Sequence, residues 1–448
     1  MVPTSIKDEG SLRPSRLTWL VFAAALHGAS TLVVYLVGRL RWLPGQLDAK
    51  GIGIFFASDG ARYDREAIEL VHTLANDGIG AWFTAAPQFH VKIYSLSYAV
   101  FGPLVGFNII AVEPLNALYY LTTVYLSFAI GQRVFSRRVG FLSALIVALW
   151  PSFLLHSTQL LRDPLVIALW LLLILVLSSW LTRILQWRGA IVYALLGFAA
   201  SLGLWINRID IWMLLVGSTF IASLLLVVRQ LRDRKFLFAN SLTAACLLWG
   251  LMIIPWTPQV AKTPKRPAVR ATVLEKQPSL FEPIMDRRRM SIVWEVPGAT
   301  SSVDKDVFFN SNADIIRYLP RAAEIGFFAP FPNTWFERGI RERSATWFLV
   351  GLETLAMYAI EIFACLTVWR SRRRLSLWLI VLIAAMGVVG LALVTVNIGT
   401  LYRYRYSFLI LLIIVASESL MNFKLPKILK QRGLEEAPPR PNLNAAPH

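Results

Sequence analysis

The chain has 448 residues, of which 56% are hydrophobic and 16% are charged. This composition is too apolar for a soluble domain and predicts an all-α polytopic membrane protein. The formal net charge of +18 does not indicate nucleic-acid binding, because the basic residues lie in short clusters between apolar runs, as in loops on the cytoplasmic face of a membrane. Cys246 and Cys365 each lie within an apolar run and imply neither a disulfide framework nor a metal cluster.

The first predicted span covers residues 17–38, enough for a helix to cross a hydrocarbon core of about 30 Å. A dense charged segment, residues 58–67, follows it. Ionisable groups beside a membrane are costly and usually functional. Apolar residues then recur at helical spacing from Ala67 to Ala75, which predicts an amphipathic helix on the membrane surface, followed by Trp82 and Phe83 as interfacial anchors.

Residues 93–112 leave two topologies open, because this apolar run is long enough to span but contains Gly102, Pro103 and Gly106. If the run only dips into the interface, the later basic turns and both termini fall on the cytoplasmic side; if it spans, every later loop is inverted. We therefore favour about ten transmembrane helices without 93–112. The predicted spans are residues 17–38, 114–130, 139–156, 164–182, 189–207, 211–228, 236–256, 346–369, 376–396 and 405–422.

This topology divides the chain into four regions. A predicted interfacial helix at 312–328 lies in the long outer loop, and the Pro- and Ala-rich end of the chain, 435–448, is predicted to be disordered. The regions are a transmembrane core at 1–256 with a first outer loop at 39–112, an outer (periplasmic) loop at 257–345, C-terminal transmembrane helices at 346–422 and a cytoplasmic tail at 423–448.

Several motifs in this order resemble the membrane glycosyltransferases of the GT-C superfamily. The pattern is similar to protein mannosyltransferases and to bacterial aminoarabinose transferases that act on lipid A, and it covers residues 1–180 well and the remainder loosely. The motifs are the run Asp59 to Ala67, the segment Tyr98 to Gly102, the run that begins at Pro114, the basic turn Arg133 to Arg138, the turn Leu160-Leu161-Arg162-Asp163-Pro164 and the late run Tyr402-Arg403-Tyr404-Arg405-Tyr406.

The resemblance implies an inverting enzyme that transfers a sugar from a polyprenyl-phosphate-linked donor to an envelope glycan, glycolipid or protein acceptor. Its active site would open at the outer face of the membrane, which in a bacterium is the periplasmic side of the inner membrane. A nucleotide-sugar donor is disfavoured, since the sequence has no Rossmann-like nucleotide-binding region. The superfamily often has a second acidic residue directly after the first, whereas Gly60 follows Asp59 here, so a divalent metal is not indicated and the metal requirement stays open.

Such a transfer needs a base for the acceptor proton and cations for the charge that grows on the departing phosphate. Asp59 stands at the position where the resemblance implies the base; the alternative is a helix cap or an ion pair with Arg62. Asp163 matches the second acidic motif and would orient the acceptor or support the base; the alternative is a cap for the following helix. Asp64 and Glu66 are expected to be solvated or capping.

Arg403 and Arg405 are candidates to hold the leaving phosphate, because a guanidinium binds phosphate oxygens through two bonds and keeps its charge. They share a side if the segment is extended and diverge if it is helical. The alternative for both is contact with lipid headgroups. His90 and Lys92 are further candidates for a phosphate contact, and otherwise interfacial anchors. The supporting candidates are Arg62, Tyr63, Arg162 and Arg208, of which Arg208 could pair with Asp210.

Two other classes of membrane protein share this composition. A polysaccharide or lipid-linked sugar transporter (flippase) is expected to place charges within its spans and to show repeat symmetry, whereas here the charges lie mostly in loops. An O-antigen polymerase or ligase uses the same donor class and is expected to depend on outer-loop arginines rather than on Asp59. The predicted partners of the transferase are membrane lipids, a polyprenyl-phosphate-linked sugar donor and a glycan, lipid or protein acceptor, and no nucleic acid.

Overall fold

A computed structural model describes residues 16–42, 51–54, 57–254, 281–293, 302–335 and 344–423. Within these ranges the protein is all-helical, and the only β-type contact is an isolated bridge between Ser302 and Asn397. The predicted all-α class is therefore confirmed. The predicted disordered segment 435–448 lies outside the described residues. The same is true of residues 257–280, 294–301 and 336–343 of the long loop predicted to be outer.

The helices follow the predicted order along the chain. Those of the first region are α1 Arg16–Arg39, α2 Ala57–Asn76, α3 Gly78–Thr84, α4 Phe89–Val105, α5 Ile109–Val134, α6 Arg137–Ala148, α7 Pro151–Ser157, α8 Asp163–Thr182, α9 Trp187–Asn207, α10 Trp212–Asp233 and α11 Phe238–Ile253. Those of the later regions are α12 Glu282–Val293, α13 Asn312–Phe328, α14 Ser344–Ser371, α15 Leu375–Val394, α16 Ile398–Tyr404 and α17 Tyr406–Met421.

Among the described residues, seven helices are long and apolar enough to cross a membrane: α1, α5, α8, α9, α10, α14 and α15. Two bent pairs, α6 with α7 and α16 with α17, raise the number to nine if each pair is one span. The chain is thus a polytopic membrane protein with seven to nine candidate spans. The seventh predicted span forms α11, which is apolar but has only 16 residues, so the count of ten stays a prediction.

Residues 93–112 do not form one continuous helix. α4 ends where Gly106 adopts a φ of +82°, a conformation that favours glycine. The Asn108 side chain then accepts a hydrogen bond from the Ile110 amide at 2.8 Å and caps the start of α5. The second span therefore begins before Pro114, and whether α4 crosses the membrane stays a prediction.

The core is organised around α8, which packs against α5, α9, α10 and α15. This helix is apolar on all sides, and most of its residues are buried against other helices of the bundle. Trp170 on α8 is buried and meets the ring of Phe408 on α17 edge-on, with 5.4 Å between the centroids. The packed position of α8 fixes where its first residue, Asp163, lies.

The basic turns predicted to share one side of the membrane lie together in space. Arg229 at the end of α10 donates to the Arg183 carbonyl in the α8–α9 turn at 2.9 Å. Arg232 donates to the Arg373 carbonyl in the α14–α15 turn at 3.3 Å. The bundle therefore has a basic end, and the opposite end carries the segments that precede α2, α8, α10 and α16.

The helices α12 and α13, which belong to the long loop predicted to be outer, pack on α15. The predicted interfacial helix 312–328 coincides with α13, which begins with a capping box formed by Ser311 and Asp314. Arg288 on α12 is buried and donates to the carbonyls of Leu393 at 3.1 Å and Asp304 at 2.8 Å. These bonds tie the described parts of the loop to the end of α15.

Candidate active site

Two carboxylates and one guanidinium meet at the end of the bundle opposite the basic turns. Asp59 lies in the first turn of α2, Asp163 is the first residue of α8, and Arg403 lies in α16. The Nη2 atom of Arg403 donates to Asp59 Oδ2 at 3.1 Å, and its Nε atom lies 3.0 Å from Asp163 Oδ2. One arginine thus joins the two acidic residues that were predicted as candidates from two separate sequence motifs.

Asp163 is the buried member of this group, with 5% of its side chain exposed. Its place in the first turn of α8, before Pro164, is favourable for a carboxylate because the helix dipole is positive there. A buried charge also needs cations close by. Arg403 supplies one, and Arg208 supplies a second through a contact of 3.7 Å between Nη1 and Asp163 Oδ1.

Asp59 is the accessible member, with 36% of its side chain exposed. Its contact with Arg62 is loose, at 3.9 Å, and Arg62 itself is half exposed. Of the two carboxylates held by Arg403, Asp59 is therefore the one that a second molecule can reach. Because of this difference in exposure, Asp59 could react with a bound molecule, whereas Asp163 is placed to hold the arginines.

A second set of charges continues from Arg208, in the turn between α9 and α10. Its Nε atom lies 3.6 Å from Asp210 Oδ2, and Arg287 of α12 approaches the same oxygen at 3.1 Å. Burial alone would raise the pKa of Asp210, but the two guanidiniums lower it to about 2. We call the whole series the ion-pair chain; its members are Arg62, Asp59, Arg403, Asp163, Arg208, Asp210 and Arg287.

Tyr404 packs beneath the ion-pair chain. The guanidinium carbon of Arg208 lies 3.6 Å from the centroid of its ring, a cation–π contact, and Arg162 Nη2 donates to its hydroxyl at 3.2 Å. Tyr404 therefore holds two arginines near Asp163. In the sequence, Tyr404 was noted only as part of the motif Tyr402 to Tyr406. The residues around it in the chain do not indicate that two arginines from distant segments contact it.

Arg287 was missed by the sequence analysis. It belongs to the run Arg287-Arg288-Arg289 in the loop predicted to be outer. Basic runs are unusual on that side of a membrane, so this triplet is the signal that could have indicated a functional or structural contact. In the structure Arg287 joins the ion-pair chain, and Arg288 anchors the loop.

Arg405 points away from the carboxylates, because the segment is helical rather than extended. α16 ends at Tyr404, and the bend of 56° to α17 follows at Arg405. Arg405 is buried and its Nη1 donates to the carbonyls of Gly326 at 2.9 Å and Ala329 at 2.8 Å. It thus caps the C-terminal end of α13, where a cation is favourable, and the structure does not bring it to Asp59.

His90 and Lys92 lie on α4 and are both buried. His90 meets the ring of Tyr63 edge-on at 4.6 Å between centroids, and neither ring nitrogen has a hydrogen-bond partner among the described residues. Burial, with Arg162 and Arg62 nearby, lowers the pKa of His90 well below its usual range, so the ring is neutral near pH 7. Lys92 donates to the Phe83 carbonyl at 2.5 Å.

Asp64 differs from its prediction. It was expected to be solvated or to cap a helix, but it is buried and accepts a hydrogen bond from the Tyr98 hydroxyl at 2.8 Å. Asp64 is buried because it lies next to the buried Tyr63, on the face of α2 that packs against α4. Glu66 stays partly exposed and lies 3.7 Å from Arg62.

A small apolar cleft, with a volume of about 20 Å³, lies beside Arg208 between α8, α10, α15 and α17. Arg208, Tyr404 and Ser407 supply its polar edge. The cleft places an apolar surface directly beside a buried cation. The apolar lining residues are Val166, Trp170, Ile211, Leu214, Leu391 and Phe408.

The structure thus brings together Asp59, Asp163, Arg403, Arg162, Arg208 and Arg62, and places Arg405, Lys92 and His90 in other contacts. Among the described residues no group of three or more His, Cys, Asp or Glu side chains could hold a metal ion. In comparisons with known proteins, no family model, no curated protein and no solved structure matches this chain.

Proposed function

We propose that the protein is an integral membrane glycosyltransferase of the GT-C type that transfers a sugar from a polyprenyl-phosphate-linked donor to an envelope acceptor. The observation that carries the proposal is the meeting of Asp59 and Asp163 on Arg403. An accessible carboxylate beside a buried cluster of guanidiniums is what an inverting displacement on a sugar phosphate requires.

In this reaction Asp59 takes the proton of the acceptor hydroxyl or amine. The acceptor atom forms its bond to the anomeric carbon as the bond from that carbon to the phosphate oxygen breaks, and the electron pair leaves with the phosphate. One displacement inverts the anomeric configuration. The exposure of Asp59, compared with the burial of Asp163, supports giving the role of base to Asp59 and that of holding the arginines to Asp163.

The leaving phosphate must lie on the side of the sugar opposite the base. Three successive ion pairs lead from Asp59 to Arg208: Asp59 to Arg403 at 3.1 Å, Arg403 to Asp163 at 3.0 Å, and Asp163 to Arg208 at 3.7 Å. This spacing supports placing the phosphate at Arg208 with Arg162 nearby, and the sugar between Arg208 and Asp59. Arg403 then orients the base and faces the reacting carbon.

A lipid-linked donor is supported by the place of Arg208, because this buried cation lies beside an apolar cleft between apolar helices. An isoprenoid chain attached to a phosphate at Arg208 would have to widen this cleft between α8, α10, α15 and α17 to reach the lipid. The charge balance agrees, because Arg62, Arg162, Arg208, Arg287 and Arg403 surround three aspartates and favour an anion. By the positive-inside rule this end of the bundle faces outward, which for a bacterium is the periplasm.

One observation favours a second candidate, an O-antigen polymerase or ligase. Arg287 comes from the long outer loop and joins the ion-pair chain, as expected if outer-loop arginines carry the reaction. The two candidates make opposite predictions, because the transferase depends on Asp59 and the polymerase or ligase depends on Arg287. Both use a lipid-linked sugar.

The deciding experiment measures sugar transfer in proteoliposomes with a panel of polyprenyl-phosphate sugars and envelope extract from a deletion strain. Asp59→Asn keeps the size of the side chain and removes the base, so we expect turnover to fall by a factor of about 100 or more. Glu69→Gln, an exposed carboxylate on the same helix, is the matched control and should retain wild-type turnover.

Full activity of the Asp59→Asn protein would eliminate Asp59 as the base. Loss of activity in Arg287→Ala with full activity in Asp59→Asn would favour the polymerase or ligase. Mass spectrometry of lipid-linked sugars in the deletion strain identifies the donor, since the unused lipid-phosphate sugar should accumulate.

A further inference from the structure

The connection between α7 and α8 is unusual for a loop because four of its five residues are buried. Thr158, Gln159 and Leu160 have no exposed surface, and Leu161 has 1%. Loops normally lie at the surface, where water satisfies their backbone groups. A buried loop needs donors from the protein for its carbonyl oxygens.

Those donors come from α4 and α5. The Tyr94 hydroxyl on α4 lies 2.9 Å from the Leu161 carbonyl and 2.9 Å from Asn116 Oδ1. The Asn116 amide on α5 donates to the Gln159 carbonyl at 3.3 Å. Burial raises the pKa of Tyr94 well above its usual range, so its hydroxyl keeps the proton that it donates. Leu161 is two positions before Asp163, so Tyr94 controls the backbone that leads into this carboxylate.

The same face of α4 also holds the helix that carries Asp59. Tyr98, one turn after Tyr94, donates to Asp64 on α2 at 2.8 Å. Residues four apart lie on one side of a helix, so both tyrosines point from a single surface. α4 therefore contacts the turn before Asp163 through one hydroxyl and the helix of Asp59 through the other.

We propose that α4 is the positioning element of the candidate active site: Tyr94 fixes the turn that bears Asp163, Tyr98 fixes the helix that bears Asp59, and together they set the two carboxylates where Arg403 can bind both. The expected effect on turnover rests on the proposed glycosyltransferase function. The expected effect on the placement of the two carboxylates does not. Neither tyrosine touches the substrate in this scheme.

The test compares three substitutions of the same kind. Tyr94→Phe and Tyr98→Phe each remove one buried hydroxyl that holds a carboxylate-bearing element. Tyr120→Phe is the matched control, because the Tyr120 hydroxyl is also buried and donates to a backbone carbonyl, that of Ala148 at 2.7 Å. Its loss should cost comparable stability without moving either carboxylate.

In the sugar-transfer assay we expect Tyr94→Phe and Tyr98→Phe to lower kcat about tenfold with little change in the KM for the donor, because misplacing a reacting group by about 1 Å costs far more in turnover than in binding. Tyr120→Phe should keep the wild-type kcat. Equal kcat in all three variants would overturn the proposal.

A second readout does not depend on any reaction. Thermal unfolding is measured for Asp163→Asn alone and combined with each tyrosine variant. If Tyr94 positions Asp163 for its ion pairs, the effects of Tyr94→Phe and Asp163→Asn on the unfolding midpoint are not additive, whereas those of Tyr120→Phe and Asp163→Asn are. Additive effects for Tyr94→Phe would overturn the positioning role. If the wild-type protein transfers no sugar, the proposed function fails. The unfolding midpoints of the single and double variants then decide by themselves whether Tyr94 positions Asp163.

Discussion

The guanidinium of Arg403 donates a hydrogen bond to the carboxylate of Asp59 at 3.1 Å, across 344 positions of the chain. This bond joins the first helix after span one to the short helix before the last span. It also ties the accessible carboxylate to the arginine that holds the buried Asp163. The roles assigned to these residues lead to separate predictions, because each residue is buried and paired to a different degree.

Arg403→Lys should lower turnover by a factor of about 100, while the thermal unfolding midpoint changes little. Lysine keeps the charge but lacks the planar fork through which Arg403 reaches two carboxylates. Arg405→Lys is the informative comparison, because Arg405 binds carbonyls at the end of α13 instead. It should lower the unfolding midpoint and keep the turnover of the folded protein. The opposite pattern in the two variants would contradict the assignment.

Asp163→Asn should destabilise the protein by about 3 kcal/mol, because it leaves two buried guanidiniums, those of Arg403 and Arg208, without their shared carboxylate. Asp59→Asn should change stability much less, since Asp59 is partly exposed. Denaturation followed by intrinsic fluorescence in detergent measures both. Equal stability of the two variants would show that Asp163 is not the anchor of the arginines.

Leu214→Trp should weaken the binding of a lipid-linked donor and raise its KM about tenfold, because the larger side chain fills the apolar cleft beside Arg208. The control is Leu224→Trp on the same helix, where the side chain is 55% exposed at the surface of the bundle. Kinetics with donors of full-length and shortened isoprenoid chains provide the measurement. If the two variants have the same KM, the chain does not enter this cleft.

The Asp210 ion pairs should add a pH-dependent contribution to stability. The pKa of Asp210 falls from its ordinary value of 3.8 to about 2 in the folded protein, so the folded state favours the ionised carboxylate. The stabilisation, about 2 kcal/mol at 1.36 kcal/mol per unit, is therefore fully present above pH 4 and is lost as the pH falls from about 4 to about 2.

Unfolding midpoints of the wild-type and Asp210→Asn proteins should consequently differ at pH 6 and converge near pH 2. Asp306→Asn, which changes an exposed carboxylate of the outer loop, should show no such convergence. A difference between wild type and Asp210→Asn that persists unchanged at low pH would mean that the ion pairs of Asp210 do not contribute in this way.

The helices could be predicted from the sequence because their signal is local. In lipid every backbone group must find its hydrogen bond within its own segment, so an apolar run such as 164–182 can be read directly as the helix α8. The helix α13 and the grouping of basic turns at one end of the bundle were predictable for the same kind of reason, since amphipathic spacing and charge distribution are properties of short stretches. Asp59, Asp163 and Arg403 were selected individually on residue type and motif.

The sequence by itself therefore determined the all-helical membrane class and most helix positions. Only the tertiary structure decided which charges meet: that Arg403 holds both carboxylates while Arg405 caps α13, that Arg287 joins from α12, and that Asp64 is buried against Tyr98. The physical reason is that a helix end or a hydropathic run depends on neighbours in the chain, whereas an ion pair depends on the packing of helices that are distant in sequence.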